Sequence, residues 1–270
     1  MKLLLRCAAV GITAALLVPR FADSRVLRAN RSCLPANTVP AETHGMSTVP
    51  PLVLWAWERP EDLRFLDPKQ AGVAFLAGTV RIGRDGMSYW PRMQPLQLAP
   101  QTRLVAVVRI ETASGAARDP ETAKRVAAEI ARAGNLPGVF AVQVDFDATV
   151  SEREFYRQVL VELKRKLPPS TPLSITALTS WCIGDRWMSG LPIDEAVPML
   201  FRMGAGLAEV TNWIRSGHDF REPICRTSLG VSLDEPWPKL PSGRRLYAFS
   251  PSPWTERSVQ KLLEELQSWR

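Results

Sequence analysis

From residue 51 onward the chain alternates between short apolar runs and longer polar-apolar stretches. Strand-like runs fall at Leu52–Trp57, Val73–Ile82, Leu104–Glu111, Val139–Asp147, Leu173–Ser180, Ala196–Met203, Ser228–Asp234 and Leu246–Ser250. Several are separated by segments with helical spacing. Asp119-Pro120 is a cap followed by a proline suited to a first helical turn, and predicts a helix to about Ala133. Ser151 and Glu154 have the spacing of a capping box ahead of Phe155, Val159, Leu163 and Leu167, which recur every four residues. Thr255 opens a last helix with Val259, Leu262, Leu263 and Leu266 on one face. Two connections, 83–103 and 235–245, read as proline-rich loops. Eight strand-and-connection units in about 220 residues predict a compact α/β fold, the (β/α)8 TIM-type barrel, with some helices replaced by loops. An open doubly wound sheet is the alternative, but no G-x-G-x-x-G follows the first strand.

Alternation within the strands sorts residues into two faces. In the fourth run Phe140, Val142, Val144 and Phe146 form an apolar face that suits outer helices. Ala141, Gln143, Asp145 and Asp147 form the opposite, lumen-directed face. The third run sends Ala106, Val108 and Ile110 outward and Arg109 and Glu111 inward. The seventh sends Leu229, Val231 and Leu233 outward and Ser228, Gly230, Ser232 and Asp234 inward. Ser174 and Thr176 come from the fifth run, and Arg202 ends the sixth. The predicted lumen thus gathers Arg109, Glu111, Asp145, Asp147, Arg202 and Asp234 near the strand C-terminal ends, where barrel active sites sit.

Such a cluster reads either as a buried ion-pair network or as an acid site. Four acids against two arginines leave carboxylates in excess, and crowded carboxylates raise one another's pKa. That leaves one acid protonated and one ionised, as glycoside cleavage requires. Seven of nine tryptophans lie on strands or in the connections after them, among them Trp55, Trp57, Trp181 and Trp254. Their rings offer apolar faces for sugars, or simply core packing.

Composition adds constraints. With 46% hydrophobic and 23% charged residues the chain is of ordinary globular make-up. The net charge of +7 is not a nucleic-acid signature: residues 1–31 hold six of the 34 basic residues and one of the 27 acids, which leaves the remainder at +2. Lys2 and Arg6 precede the mostly apolar Cys7–Val18, so residues 1–22 are expected to be a signal peptide or an inner-membrane anchor, and the protein periplasmic or secreted. Residues 23–50 read as a linker and 51–270 as one barrel domain. Export permits disulfides, and Cys182 with Cys225 is the natural pair; both as buried free thiols is the alternative. The only histidines are His44 and His218, and neither H-x-x-x-H nor C-x-x-C occurs, so neither a metal nor a cofactor is expected. A G-x-S-x-G elbow and a Walker loop are likewise missing.

The run Gly138–Asp147, followed by a capped helix, resembles the fourth strand of family 18 glycoside hydrolases, whose signature is D-x-x-D-x-D-x-E. Asp145 and Asp147 match its second and third acids. The first position holds Val142 and the last, that family's general acid, holds Thr149. Trp254 is similar to the tryptophan that floors the sugar site there. The segments Val142–Asp147, Ser174–Leu178 with Ser180-Trp181-Cys182, Val197–Gly204 and Asp234–Pro236 also resemble an uncharacterised bacterial family, the domain of unknown function numbered 3142, which would cover nearly all of 51–270. That resemblance implies the barrel and no established activity.

These readings converge on an exported barrel of glycoside-hydrolase type acting on a polysaccharide or cell-envelope glycan. Asp145 and Asp147 form its acidic core, and Glu111, Asp234 or Glu235 supplies a second carboxylate. Trp55, Trp57, Arg109, Gln143, Trp181, Arg202 and Trp254 are the expected substrate-binding residues. The alternatives are a non-catalytic carbohydrate-binding barrel lacking the general acid and an envelope-assembly protein.

Overall fold

A computed structural model describes residues 45–237 and 242–268. The expected signal or anchor segment, most of the linker, Cys7, Cys33 and His44 lie outside the described residues. Eleven strands run in chain order: β1 (Leu52–Ala56), β2 (Glu61–Leu63), β3 (Ala71–Gly83), β4 (Gly86–Pro91), β5 (Leu96–Leu98), β6 (Leu104–Thr112), β7 (Val139–Asp145), β8 (Leu173–Leu178), β9 (Glu195–Met199), β10 (Ser228–Ser232) and β11 (Arg245–Phe249). The helices are α1 (Pro120–Ala133), α2 (Arg153–Lys166), α3 (Thr179–Ile183), α4 (Leu207–Arg215) and α5 (Glu256–Ser268).

Eight strands, β1, β3 and β6–β11, pair in parallel in a ring, and β1 closes it by pairing with both β3 and β11. The fold is a (β/α)8 TIM-type barrel, and each of the eight apolar runs is one of its staves. Ala106, Val108, Val142, Val144, Leu229 and Val231 face the outer layer and belong to the large buried cluster that also holds Val126, Ile130, Val159 and Leu163 of α1 and α2. Val53, Trp55, Ala74, Val105, Val107, Ala141, Val197 and Tyr247 fill the lumen as a separate cluster. Asp119 caps α1 by accepting from Thr122 N at 2.8 Å.

Four local expectations need correction. The connection 83–103 is not a loop. β3 outruns the barrel and folds back on β4 as an antiparallel hairpin, and β5 pairs with β2. The alternation Met87–Tyr89 is too short and too exposed to stand out as a buried stave. The capping box before α2 is formed by Thr149 and Glu152 rather than Ser151 and Glu154; Thr149 N and Oγ1 both donate to Glu152 Oε2, at 2.9 and 2.7 Å. A turn of 3-10 helix, Val150–Glu152, precedes α2 and shifts the cap two residues back. Phe140 does not join the outer face. The β6–β7 register slips there, so that Leu104 pairs with Val139 and Val105 with Ala141, and the extra residue turns its ring to the lumen cluster. Residues 46–50 belong to the barrel: Met46 and Val49 are buried with the lumen residues, and the Arg245 guanidinium donates to the carbonyls of both. They seal the N-terminal end.

Candidate active site

A cleft of about 460 Å³ opens at the C-terminal end of the strands. Trp55 and Trp57 from the end of β1, Arg109 from β6, Asp145 and Asp147 from β7 and its loop, and Thr176 from β8 line one part of it. Met199, Phe201, Met203, Val210 and Phe249 line the other. Phe201 and Phe249 stand parallel, with centroids 5.8 Å apart.

The two aspartates differ in setting. Asp145 ends β7 opposite Thr176, whose hydroxyl donates to Asp145 Oδ1 at 2.7 Å. Its side chain is only 13% exposed. Burial raises the pKa of its carboxyl from the ordinary value; the charge of Asp147 adds to that shift, while Thr176 and Arg109 oppose it. Asp147, two residues on, opens into the cleft, and partial loss of surrounding water raises its pKa against the pull of Arg109. Arg109 Nε lies 3.8 Å from Asp145 Oδ2 and 3.5 Å from Glu111 Oε1, so it is shared between carboxylates rather than bonded to one. No ion pair joins Asp147 to any described residue. The cluster is therefore not a closed ion-pair network at its mouth.

Several expected site residues sit elsewhere, mostly because the strands end earlier than the apolar runs do. β10 stops at Ser232 and β9 at Met199, so alternation no longer governs Asp234, Glu235 or Arg202. Glu235 accepts from Arg202 N at 3.1 Å, and Asp234 accepts from Arg202 Nη2 at the same distance. Glu235 thus holds the backbone of Arg202, which sits in the left-handed conformation at φ 52°, and Asp234 holds its guanidinium at the rim. Arg202 lines the cleft; Asp234 and Glu235 do not. Glu111 lies over the β3–β4 hairpin, bonded to Arg81 Nε at 2.9 Å, outside the cleft. Trp181 belongs to the outer layer, edge-on to Trp187 at 4.9 Å, because α3 begins at Thr179 and turns it away. Trp254 is buried behind β1, where its indole N–H donates to Trp55 O at 3.0 Å. It supports the floor but does not form it. Gln143 is fully buried beneath the cleft, and Trp55 Nε1 donates to its Oε1 at 3.0 Å. Thr149, where the family 18 acid would stand, is tied into the helix cap. Cys182 and Cys225 are disulfide-bonded, their Cα atoms 5.9 Å apart.

Sequence reasoning missed Glu195, which is fully buried at the start of β9. It accepts from Tyr247 Oη at 2.7 Å, from Ser174 Oγ at 3.0 Å and from the Arg245 guanidinium. It precedes the apolar run by one residue; extending the period-2 face of Val197 and Met199 back by one step reaches it. Arg92 was missed too. Its guanidinium, delivered by the turn after the hairpin, donates to the carbonyls of Ala56, Trp57, Arg59 and Gln94, and so clamps the turn that carries Trp57. No spacing pattern announces a side chain that bonds only carbonyls. Among the described residues no cluster of His, Cys, Asp and Glu could hold a metal ion.

No family model matches the chain and no curated protein does, so the likeness to the domain of unknown function numbered 3142 is not confirmed. Among solved structures, the spore cortex-lytic enzyme SleL of Bacillus cereus overlays with a TM-score of 0.43 and 16% identity, over 67% of this chain and 50% of that one. The chain spans half the length of SleL, and the overlay is too loose to carry chemistry from one to the other.

Proposed function

We propose that this barrel is of glycoside-hydrolase type and acts on a polysaccharide or cell-envelope glycan in the cleft, with Asp145 and Asp147 together as its acidic core. The observation that carries the reading is the pair itself: two carboxylates two residues apart, both with pKa values raised by burial, at the C-terminal mouth of the barrel. Because the charge of Asp147 disfavours that of Asp145, the two retain one proton above the pH at which isolated aspartates lose theirs. A proton donor and an ionised carboxylate then coexist, which cleavage of a glycosidic bond demands. Trp57, Phe201 and Phe249 offer apolar surface to the C–H faces of a sugar.

A second reading, a glycan-binding barrel without turnover, is favoured by one specific observation. Glu111, Asp234 and Glu235 lie outside the cleft, bonded to Arg81 and Arg202, which leaves Asp145 and Asp147 as its only carboxylates among the described residues. Binding of the protein to a glycan array, followed by hydrolysis assays on the hits, separates the readings. The enzyme releases reducing ends, and Asp147→Asn abolishes release while retaining most binding. A wild type that binds glycans yet cleaves none leaves the binding barrel; one that binds none ends both.

We further propose export, supported by the charge-then-apolar order of residues 2–18 and by the Cys182–Cys225 bond, which suits an oxidising compartment. Cell fractionation with the full chain tests it.

A further inference from the structure

We propose that Glu195, which touches nothing in the cleft, is the positioning residue for Trp55 at its floor. The inference rests on the reading of the cleft as the functional site.

A directional chain of hydrogen bonds crosses the lumen. Trp55 Nε1 donates to Gln143 Oε1 at 3.0 Å, Gln143 Nε2 donates to Ser174 Oγ at 3.0 Å, and Ser174 Oγ donates to Glu195 Oε2 at 3.0 Å. Gln143, Ser174 and Glu195 are all fully buried, so water cannot substitute for a lost partner. The direction of every bond follows from Glu195. An ionised carboxylate only accepts, so the Ser174 hydroxyl must spend its single proton on it. Ser174 can then only accept from its other neighbour, which forces the Gln143 amide to turn its NH2 toward Ser174 and its oxygen toward Trp55. The indole N–H, a donor with no accepting capacity, finds an acceptor only in that orientation.

The polarity of Glu195 is itself fixed. Arg245 donates to Oε1 and can never accept; Tyr247 Oη donates to Oε2 at 2.7 Å. Barrel interiors are ordinarily filled by bulky branched side chains. A column of five polar groups in their place is accounted for if its product is the fixed ring of Trp55. Trp55 is only 2% exposed, is tilted against Tyr247 at 5.3 Å, and lines the cleft beside Phe201 at 6.0 Å.

The decisive substitution is Glu195→Gln. The new amide must give its oxygen to Arg245, which leaves NH2 facing Ser174 and Tyr247. The Ser174 proton loses its carboxylate acceptor and can turn to Tyr247 Oη, and the amide of Gln143 loses the constraint on its orientation. The full-length protein labelled with 15N-tryptophan shows nine indoles, and Trp55→Phe identifies the Trp55 signal. In Glu195→Gln the Trp55 N–H signal is expected to shift and to exchange with deuterium about tenfold faster. The indoles of Trp187 and Trp213, outside the lumen, hold their positions. Ser174→Ala, which leaves Glu195 paired with Arg245 and Tyr247, moves the same signal and decides the matter if Glu195→Gln does not fold. A Trp55 signal unchanged in the folded variants overturns the proposal, as does a change spread equally over Trp55, Trp187 and Trp213. No ligand enters the measurement, so a negative glycan array sinks the glycan reading and leaves this one standing.

Discussion

Thr176 and Asp145 face each other across β8 and β7, the hydroxyl donating to Oδ1 at 2.7 Å. It is the one hydrogen bond to that carboxylate from a described side chain, and it favours the ionised form. Removing it with Thr176→Val, which keeps the shape and deletes the donor, should move the Asp145 pKa further upward. A 13C carboxyl titration by NMR reads the change directly. An unmoved or lowered Asp145 pKa contradicts the assignment of this bond as a stabiliser of the charge.

The pH dependence of stability has a sign that follows from the same pair. Asp145 and Asp147 have folded pKa values above their unfolded ones. The folded state therefore binds more protons in the window between them. Their contribution is fully present below the unfolded value, about 3.9, and is lost as pH rises through the raised folded values. Glu152 works in the opposite sense: burial opposes its charge, but the donors Thr112 and Thr149 and the nearby Arg118 outweigh burial and lower its pKa. The test is thus a difference. Denaturant melts of Asp147→Asn and wild type from pH 3 to 8 should show the variant gaining on the wild type as pH rises. At neutral pH it should lose no more than about 0.5 kcal/mol. Were Asp147 half of a buried ion pair, the loss would instead reach ~3–5 kcal/mol.

Gly230 faces the lumen on β10, and a Cβ built there would lie 2.9 Å from Cη2 of Trp55 and 3.3 Å from Pro198 O. The ring of Trp55 occupies the space that any other residue would need. Gly230→Ala should lower stability by about 1–3 kcal/mol through overpacking. It should also displace the Trp55 indole, visible as loss of near-ultraviolet circular dichroism at a temperature where the variant is folded. A variant as stable as wild type with an unchanged spectrum would mean that the ring yields freely.

The Cys182–Cys225 bond spans 43 residues that include β9 and α4. On the loop-entropy estimate, opening it should lower stability by up to about 4 kcal/mol. Replacing both cysteines with alanine, compared with wild type under oxidising conditions, measures this. Equal stability of the two proteins would assign the bond no thermodynamic role.

Much of the barrel was legible because its staves are short, largely apolar runs punctuated by turns. The periodicity that placed Asp145 in the lumen holds only while the strand lasts. Beyond Met199 and Ser232 the backbone leaves the sheet, and Asp234, Glu235 and Arg202 obey hydrogen bonds to one another instead of alternation. Trp181 and Trp254 follow the same rule. Each lies past a strand end, and burial of the ring against outer-layer or β1 neighbours decided where it went. Glu195 was hidden for another reason. A charged residue at the edge of an apolar run looks like a loop residue until its partners Arg245 and Tyr247, fifty residues away in sequence, are brought beside it.

Closure of the ring through Leu52↔Leu246 and Val53↔Tyr247 makes the first stave depend on the last. As the chain is synthesised, β1 can pair with β3 early, but its other edge, where the Pro51 carbonyl accepts from Leu246 N, waits until residues 245–249 have emerged. Until then the growing protein is an open sheet with two unprotected borders, the kind of intermediate that holding factors bind and that associates with copies of itself. The timetable of biogenesis is thereby written into the topology: a ribosome stalled anywhere before Arg245 carries a product whose barrel cannot shut.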